Sequence, residues 1–290
     1  MFKGSLVAIV TPFKNGRVDE RALGDLIEFQ IANGTDGIVP CGTSGESATL
    51  TYEEHDRVIE FTVEATKRRV PVIAGTGSNS TDEAITLTKH AKQAGADGAL
   101  LICPYYNKPT QEGLYRHYKA IAEAVDLPLI VYNIPGRTSV NILPATIARL
   151  SSIRNVVAIK EGAGSLGQVS EIIQACGDRI TVHAGDDPLT LPMMAVGAQG
   201  VITVTANIAP ADMAALVDAF AAGRLDQAKA LHYKLYPLFT ALFYETNPIP
   251  VKEALGMMGK IQPELRLPLC PMSAENRDKL ARAMKDYGLI

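Results

Sequence analysis

Val156-Val157-Ala158-Ile159-Lys160-Glu161-Gly162 is an apolar, largely β-branched run that ends on a lysine and a glutamate. No polar residue interrupts its first four positions, so both faces of an extended chain would be buried there. That is the pattern of a strand inside a parallel sheet. Working outward, similar runs stand at residues 6–11, 37–41, 70–75, 98–103, 127–133, 179–185 and 200–206. Each is followed by a loop and by a stretch with helical spacing, such as Val58, Ile59, Thr62 and Val63. Thr51-Tyr52-Glu53-Glu54 has the form of a capping box ahead of that helix, and Ser80-Thr81-Asp82-Glu83 and Ser165-Leu166-Gly167-Gln168 repeat the form. Eight strand–helix units, spaced by roughly thirty residues, predict an α/β fold: a closed (β/α)₈ TIM barrel over residues 1–223. Residues 224–290 carry helical patterns at 225–242, 250–258 and 274–287 and no strand pattern. They predict a small C-terminal all-α domain packed on the barrel.

Composition narrows the function. Hydrophobic residues make up 47% and charged residues 20% of the 290, which is ordinary for a globular chain. The formal net charge is −3, without a basic run or an acidic tail, so nothing points to nucleic acid or a membrane surface. The N-terminal apolar run ends at Thr11-Pro12, too short to span a bilayer and without a small-residue cleavage site. A cytoplasmic location is expected. Cys41, Cys103, Cys176 and Cys270 lie far apart and form no CxxC pair, so buried free thiols are expected. His55, His90, His117, His183 and His232 show no metal-ligand spacing, and no catalytic metal is expected.

Active sites of such barrels form at the C-terminal ends of the strands. Lys160 ends the sixth. Desolvation there would lower its pKa, and a neutral amine can attack a carbonyl to form an imine. Taken by itself, it could equally be a lysine that has reached solvent or paired with a carboxylate. Tyr132 ends the fifth strand, beside Lys160; it suits a proton shuttle, or a core tyrosine bonded to a carbonyl. Gly42-Thr43-Ser44-Gly45-Glu46, after the second strand, offers backbone N–H groups and two hydroxyls to a small anion, or is an ordinary turn with capping hydroxyls. It lacks the Gly-Lys-Ser/Thr ending of a P-loop. Arg137, after Pro135-Gly136, can grip a carboxylate in bidentate fashion, or stand as a surface arginine. Gly162-Ala163-Gly164-Ser165-Leu166-Gly167 fits GxGxxG and has Asp186 about twenty residues on. It lies sixth in the series of strands rather than first, which argues against a dinucleotide fold.

Assembled, these residues resemble the dihydrodipicolinate synthase family, within the pyruvate-dependent class I aldolase superfamily that includes N-acetylneuraminate lyase. The resemblance runs from Gly4-Ser5-Leu6-Val7-Ala8-Ile9-Val10-Thr11-Pro12-Phe13 through the Gly42–Glu46 turn, Pro104-Tyr105-Tyr106-Asn107, Tyr132-Asn133-Ile134-Pro135-Gly136-Arg137-Thr138 and Ile159-Lys160-Glu161 to Asn247-Pro248-Ile249-Pro250-Val251-Lys252. It implies that Lys160 forms a Schiff base with pyruvate. Tyr132, Thr43 and Tyr106 would form a proton relay, with Tyr106 reaching into a partner subunit's site. Thr43 and Ser44 would hold the pyruvate carboxylate and Arg137 that of L-aspartate 4-semialdehyde, with backbone at Gly185 and Ile202 completing the pocket. Ser44 stands where the family more often has threonine. The implied activity is that of a Schiff-base lyase in lysine (diaminopimelate) biosynthesis, with no metal or organic cofactor. A homotetramer built as a dimer of dimers is expected. L-lysine would inhibit partially at an interface site of Ser47, Ala48, His55, Asn79, Glu83 and Tyr105, weakened by Tyr52, where some lysine-sensitive members have histidine. The rivals are a sialic acid or keto-deoxy-sugar aldolase, a pyridoxal phosphate enzyme and a non-catalytic keto-acid sensor. Arg137 argues against the first, the missing phosphate cradle against the second, and the intact relay against the third.

Overall fold

The computed structural model describes residues 2–290. Eight parallel strands run as β1 (Gly4–Ala8), β2 (Gly37–Val39), β3 (Ile73–Gly75), β4 (Gly98–Ile102), β5 (Leu129–Asn133), β6 (Val156–Glu161), β7 (Thr181–Ala184) and β8 (Gly200–Thr203). They pair in the order β2-β1-β8-β7-β6-β5-β4-β3, and a parallel bridge between Ile38 and Val72 joins the two ends into a ring. Behind each strand comes a helix: α1 (Glu20–Ala32), α2 (Tyr52–Thr66), α3 (Thr81–Ala94), α4 (Gln111–Ala124), α5 (Pro144–Leu150), α6 (Leu166–Cys176), α7 (Thr190–Ala195) and α8 (Pro210–Ala221). The chain is a (β/α)₈ barrel. A one-turn helix at Pro135–Thr138 precedes α5, and three further helices, α9 (Leu225–Ala241), α10 (Ile249–Met257) and α11 (Ala274–Tyr287), follow the barrel. Helix α9 lies against α8, and α11 against α9 and α10.

Strand parity decides what faces the barrel axis. Leu6, Val39, Ile73, Leu100, Ile130, Ala158 and Ile202 form one buried cluster inside the ring. Their neighbours Val7, Ile38, Ala74, Leu101, Val131, Ile159 and Val201 join a second cluster with the surrounding helices. Burying each of the valine, leucine and isoleucine side chains among them contributes about 1.5–3 kcal/mol. Side chains repeat with period two along a strand. Tyr132 follows Ile130 by two residues and Lys160 follows Ala158 by two, so both point inward, at the upper end of the barrel.

The described strands are mostly shorter than the apolar runs that predict them. The first run continues to residue 11, but β1 ends at Ala8. There Asn207 takes over the ladder, accepting from the Val10 N–H at 3.1 Å and donating to the Ala8 carbonyl at 2.9 Å. Beyond it, Phe13–Lys14 and Arg17–Val18 form a two-stranded hairpin that the sequence reading passed over. Its signal was the Asn15-Gly16 pair, whose φ values of 54° and 77° fit a tight hairpin turn. The Thr51 capping box forms in both directions. At α3 and α6 only the hydroxyl half forms: Ser80 and Ser165 accept from Glu83 and Gln168 N–H, while the two long side chains turn to other partners. Cys41, Cys103 and Cys176 are buried and free, but Cys270 is exposed. It lies in the proline-rich segment before α11, outside any helix or strand.

Candidate active site

Lys160 is 5% exposed, although it carries an amine. Its strand is paired on both sides, with Lys160 level with Tyr132 of β5 and with His183 of β7. The amine Nζ lies 4.3 Å from the centre of the Tyr132 ring. Burial lowers the Lys160 pKa to about 8; the Asp187 carboxylate opposes that shift and the Arg137 guanidinium adds to it. Burial likewise pushes the Tyr132 phenol well above its ordinary value, with Arg137 pulling it back. The amine is therefore available near neutral pH while the phenol keeps its proton, as an imine-forming pair requires. His183 is fully buried and held down at about 4 by burial, so it adds no charge at neutral pH.

A cavity of about 720 Å³ is lined among others by Thr43, Arg137, Thr138 and Asn247, while Lys160 and Tyr132 lie outside its lining. Thr43 sits in a compact turn. Gly45 N–H and Ser47 N–H both donate to the Gly42 carbonyl, at 3.1 and 3.4 Å. Gly75 lets β3 pass close by: a Cβ there would stand 2.2 Å from the Cys41 carbonyl oxygen. Ser44 is buried, and its hydroxyl accepts from Asn247 Nδ2 at 3.1 Å. The Arg137 Nη2 donates to the Asn247 carbonyl at 3.0 Å. Asn247 therefore ties the Thr43-Ser44 turn to the arginine, and its own Oδ1 has no partner among the described residues. Below the turn, Glu46 and Lys252 form an ion pair of 2.5 Å, fully buried. The lysine also donates to the Thr11 carbonyl at 3.0 Å, and Arg266 N–H donates to Glu46 at 3.2 Å.

The same cavity reaches Ser47, Ala48, His55, Glu83 and Tyr105. Five of the six residues of the expected lysine site are thus brought together, and Asn79 lies outside the lining. Both Glu83 oxygens are engaged, by the Tyr52 and Ser78 hydroxyls, and these bonds hold its pKa below the usual carboxylate value, that of Ser78 most. His55 Nε2 lies 2.9 Å from the Gly75 carbonyl. Tyr106 is not gathered in: it is 89% exposed, in a left-handed backbone conformation with φ 74°. Gly185 donates its N–H to the Glu161 carbonyl at 2.8 Å, and Ile202 is buried inside the barrel. In the glycine-rich stretch after β6, Gly162 N–H donates to the Asn133 carbonyl and Ala163 N–H to the Glu161 carboxylate.

Sequence reasoning gave no role to Asn247, Lys252, Ser78 or Asp187. Asn247 and Lys252 stand in a quoted motif; a lysine at the start of an apolar helix was the available signal. Asp187 stands in Gly185-Asp186-Asp187, where two adjacent carboxylates at a strand end were the hint.

A barrel with a desolvated lysine over a phenol holds the groups that imine-forming chemistry needs. A sequence model described as the Dihydrodipicolinate synthetase family matches residues 1–287, and the chain belongs to that family. The 4-hydroxy-tetrahydrodipicolinate synthase of Geotalea uraniireducens is 66% identical over 290 residues, 100% of either chain. The crystal structure of the chloride-inhibited dihydrodipicolinate synthase of Acinetobacter baumannii with pyruvate superposes with a TM-score of 0.98 at 51% identity, covering 100% of both chains. That of the Cyanidioschyzon merolae enzyme with lysine bound gives 0.97 at 40% identity, covering 100% of this chain and 99% of the other. No described helix is long and apolar enough to cross a membrane.

Proposed function

We propose that the chain acts as a 4-hydroxy-tetrahydrodipicolinate synthase, condensing pyruvate with L-aspartate 4-semialdehyde on Lys160, in lysine (diaminopimelate) biosynthesis. The observation that carries the assignment of residues is the buried Lys160 amine, its pKa brought down to about 8, lying over Tyr132. The neutral amine adds to the pyruvate ketone; loss of water leaves a protonated imine. The imine nitrogen then serves as electron sink while a methyl proton leaves, and the resulting enamine carbon attacks the aldehyde. The amine of the second substrate displaces Lys160 by transimination, closing the ring and freeing the enzyme. Tyr132, with Thr43 and a partner's tyrosine equivalent to Tyr106, carries the protons. Thr43 and Ser44 take the pyruvate carboxylate, with backbone at Gly185 and Ile202 completing the pocket, and Arg137 takes the carboxylate of the semialdehyde.

The exposure of Tyr106 supports an assembly in which it serves a second subunit, and we extend the proposal to a homotetramer of two tight dimers. The cavity shared by Thr43 and Glu83 supports L-lysine as an inhibitor bound through Ser47, Ala48, His55, Asn79, Glu83 and Tyr105. A cytoplasmic location, and a unit boundary near Gly223, complete the proposal. Its central test is borohydride treatment in the presence of pyruvate, followed by peptide mass spectrometry. The expected adduct is on Lys160 and is absent from Lys160→Ala; an adduct on another lysine would overturn the assignment.

A further inference from the structure

A buried hydroxyl has one proton to give and two lone pairs to offer, so what it accepts decides what it can donate to. Ser44 is in that position. It is 1% exposed, in the turn that carries Thr43. The one hydrogen bond its hydroxyl makes among the described residues is one it accepts, from Asn247 Nδ2 at 3.1 Å. Its own proton is left uncommitted. A buried donor without an acceptor is costly, and it asks for a partner from outside the chain. We propose that Asn247 is a positioning residue for the first substrate: its amide fills a lone pair of Ser44 and so keeps the Ser44 proton for the pyruvate carboxylate. The inference rests on the carboxylate reading above and adds to it the residue that aims one of the two hydroxyls.

Both partners are held from behind. On the turn, Glu46 N–H donates to the Thr43 carbonyl at 3.1 Å, and the Thr11 hydroxyl donates to the Gly45 carbonyl at 2.8 Å. The backbone on either side of Ser44 is thereby fixed. Asn247 is 4% exposed and stands at the entry to α10. There Ile249 N–H donates to the Thr246 carbonyl at 2.9 Å, and Lys252 N–H to the Pro248 carbonyl at 3.0 Å. A serine hydroxyl otherwise samples several staggered positions. Fixing one of them before the ligand arrives removes that cost from binding.

Asn247 divides its groups between two subsites. Its side chain serves Ser44, while its main-chain carbonyl accepts from Arg137 Nη2 at 3.0 Å. It also lines the cavity together with Thr43 and Arg137. Truncating the side chain removes the first link and keeps the second. The direction of the amide matters as well. With its oxygen turned to Ser44, the amide would take the serine's proton and leave none for a carboxylate. In the structure it is Nδ2 that meets Ser44, and Oδ1 has no partner among the described residues.

The test is a double-mutant cycle on pyruvate affinity, read by borohydride trapping of the Lys160 adduct at increasing pyruvate. The KM for L-aspartate 4-semialdehyde is measured beside it at saturating pyruvate. Asn247→Ala should weaken pyruvate about tenfold, the loss of one hydrogen bond to a charged acceptor, and leave the KM for the semialdehyde within about twofold. Ser44→Ala should weaken pyruvate equally, and the double variant no more than either, because both remove the same interaction. Losses that multiply to about a hundredfold would mean that Asn247 does not act through Ser44, and overturn the proposal. Equal losses for the two substrates in Asn247→Ala, the mark of a loop that has lost its shape, overturn it too. An ionised aspartate can only accept, so Asn247→Asp should take the Ser44 proton and weaken pyruvate more than Asn247→Ala does. Tighter binding in Asn247→Asp than in Asn247→Ala would show that the amide accepts from the serine, and overturns the proposal; if Asn247→Ala does not fold, Ser44→Ala is the comparison instead. Wild-type affinity in Ser44→Ala would overturn the carboxylate reading and this proposal with it. Absence of any Lys160 adduct in the wild type would overturn the imine reading itself.

Discussion

At Lys160 a single amine carries both the chemistry and its pH dependence. The nucleophile is the neutral form, and burial has lowered its pKa to about 8. Below that pH the ammonium accumulates, so kcat/KM for pyruvate should fall about tenfold per unit as pH drops through 8 and level off above it. A pH–rate profile of the free enzyme checks this; a flat profile between pH 6 and 8 would contradict it. Lys160→Arg should be inactive throughout, because a guanidinium does not deprotonate in this range. Arg137→Ala should leave pyruvate trapping nearly intact and cost on the order of 2–4 kcal/mol in kcat/KM for the semialdehyde, through a lost charge-assisted contact. Equal losses for both substrates would make Arg137 structural. The positions of Lys160 and Tyr132 were legible in the sequence because each stands at the end of an apolar run, which is a local signal. Asn247 was not, because its partner Ser44 is 203 residues away and only the closed barrel brings them together.

Among the elements, the Gly42–Glu46 turn depends most on distant support. Glu46 has a left-handed backbone, φ 52°, and its carboxylate is buried against Lys252 at the start of α10. The lysine also lies 4.1 Å from the centre of the Phe13 ring, in the short hairpin. One ion pair thus joins the hairpin, the turn that carries Thr43 and the C-terminal helices. Lys252→Met should cost about 3–5 kcal/mol of stability in urea unfolding, because Glu46 is left buried and unpaired. The double variant Glu46→Gln with Lys252→Met should recover a large part of that loss. If the double variant is no better than the single one, the pair is not the source of the penalty. The helices themselves were legible, since periodicity and caps are local signals; α11 begins and ends where the pattern said, at Ala274 and Tyr287. The ion pair was not, because Glu46 and Lys252 lie 206 residues apart and only the closed fold brings them together.

The assembled molecule poses the question of how an end product could act on the reaction. The proposed lysine site and Thr43 border one cavity, but this chain has placed a competitor in it. Tyr52 donates its hydroxyl to one oxygen of Glu83, and Ser78 donates to the other. A ligand ammonium bound at Glu83 must displace or share those donors, and the Tyr52 phenol, 57% exposed, is the more accessible of the two. One hydrogen bond to a charged acceptor contributes about 1.5–3 kcal/mol at most, and less where water can replace it. Tyr52→Phe should therefore bind L-lysine about three- to tenfold more tightly than the wild type, as read by calorimetry and by inhibition of the initial rate. Glu83→Ala should abolish the response in either background, since it removes the carboxylate for which Tyr52 and the ligand compete. Equal affinity in wild type and Tyr52→Phe would show that the phenol does not compete. Undiminished inhibition in Glu83→Ala would move the lysine site elsewhere on the molecule.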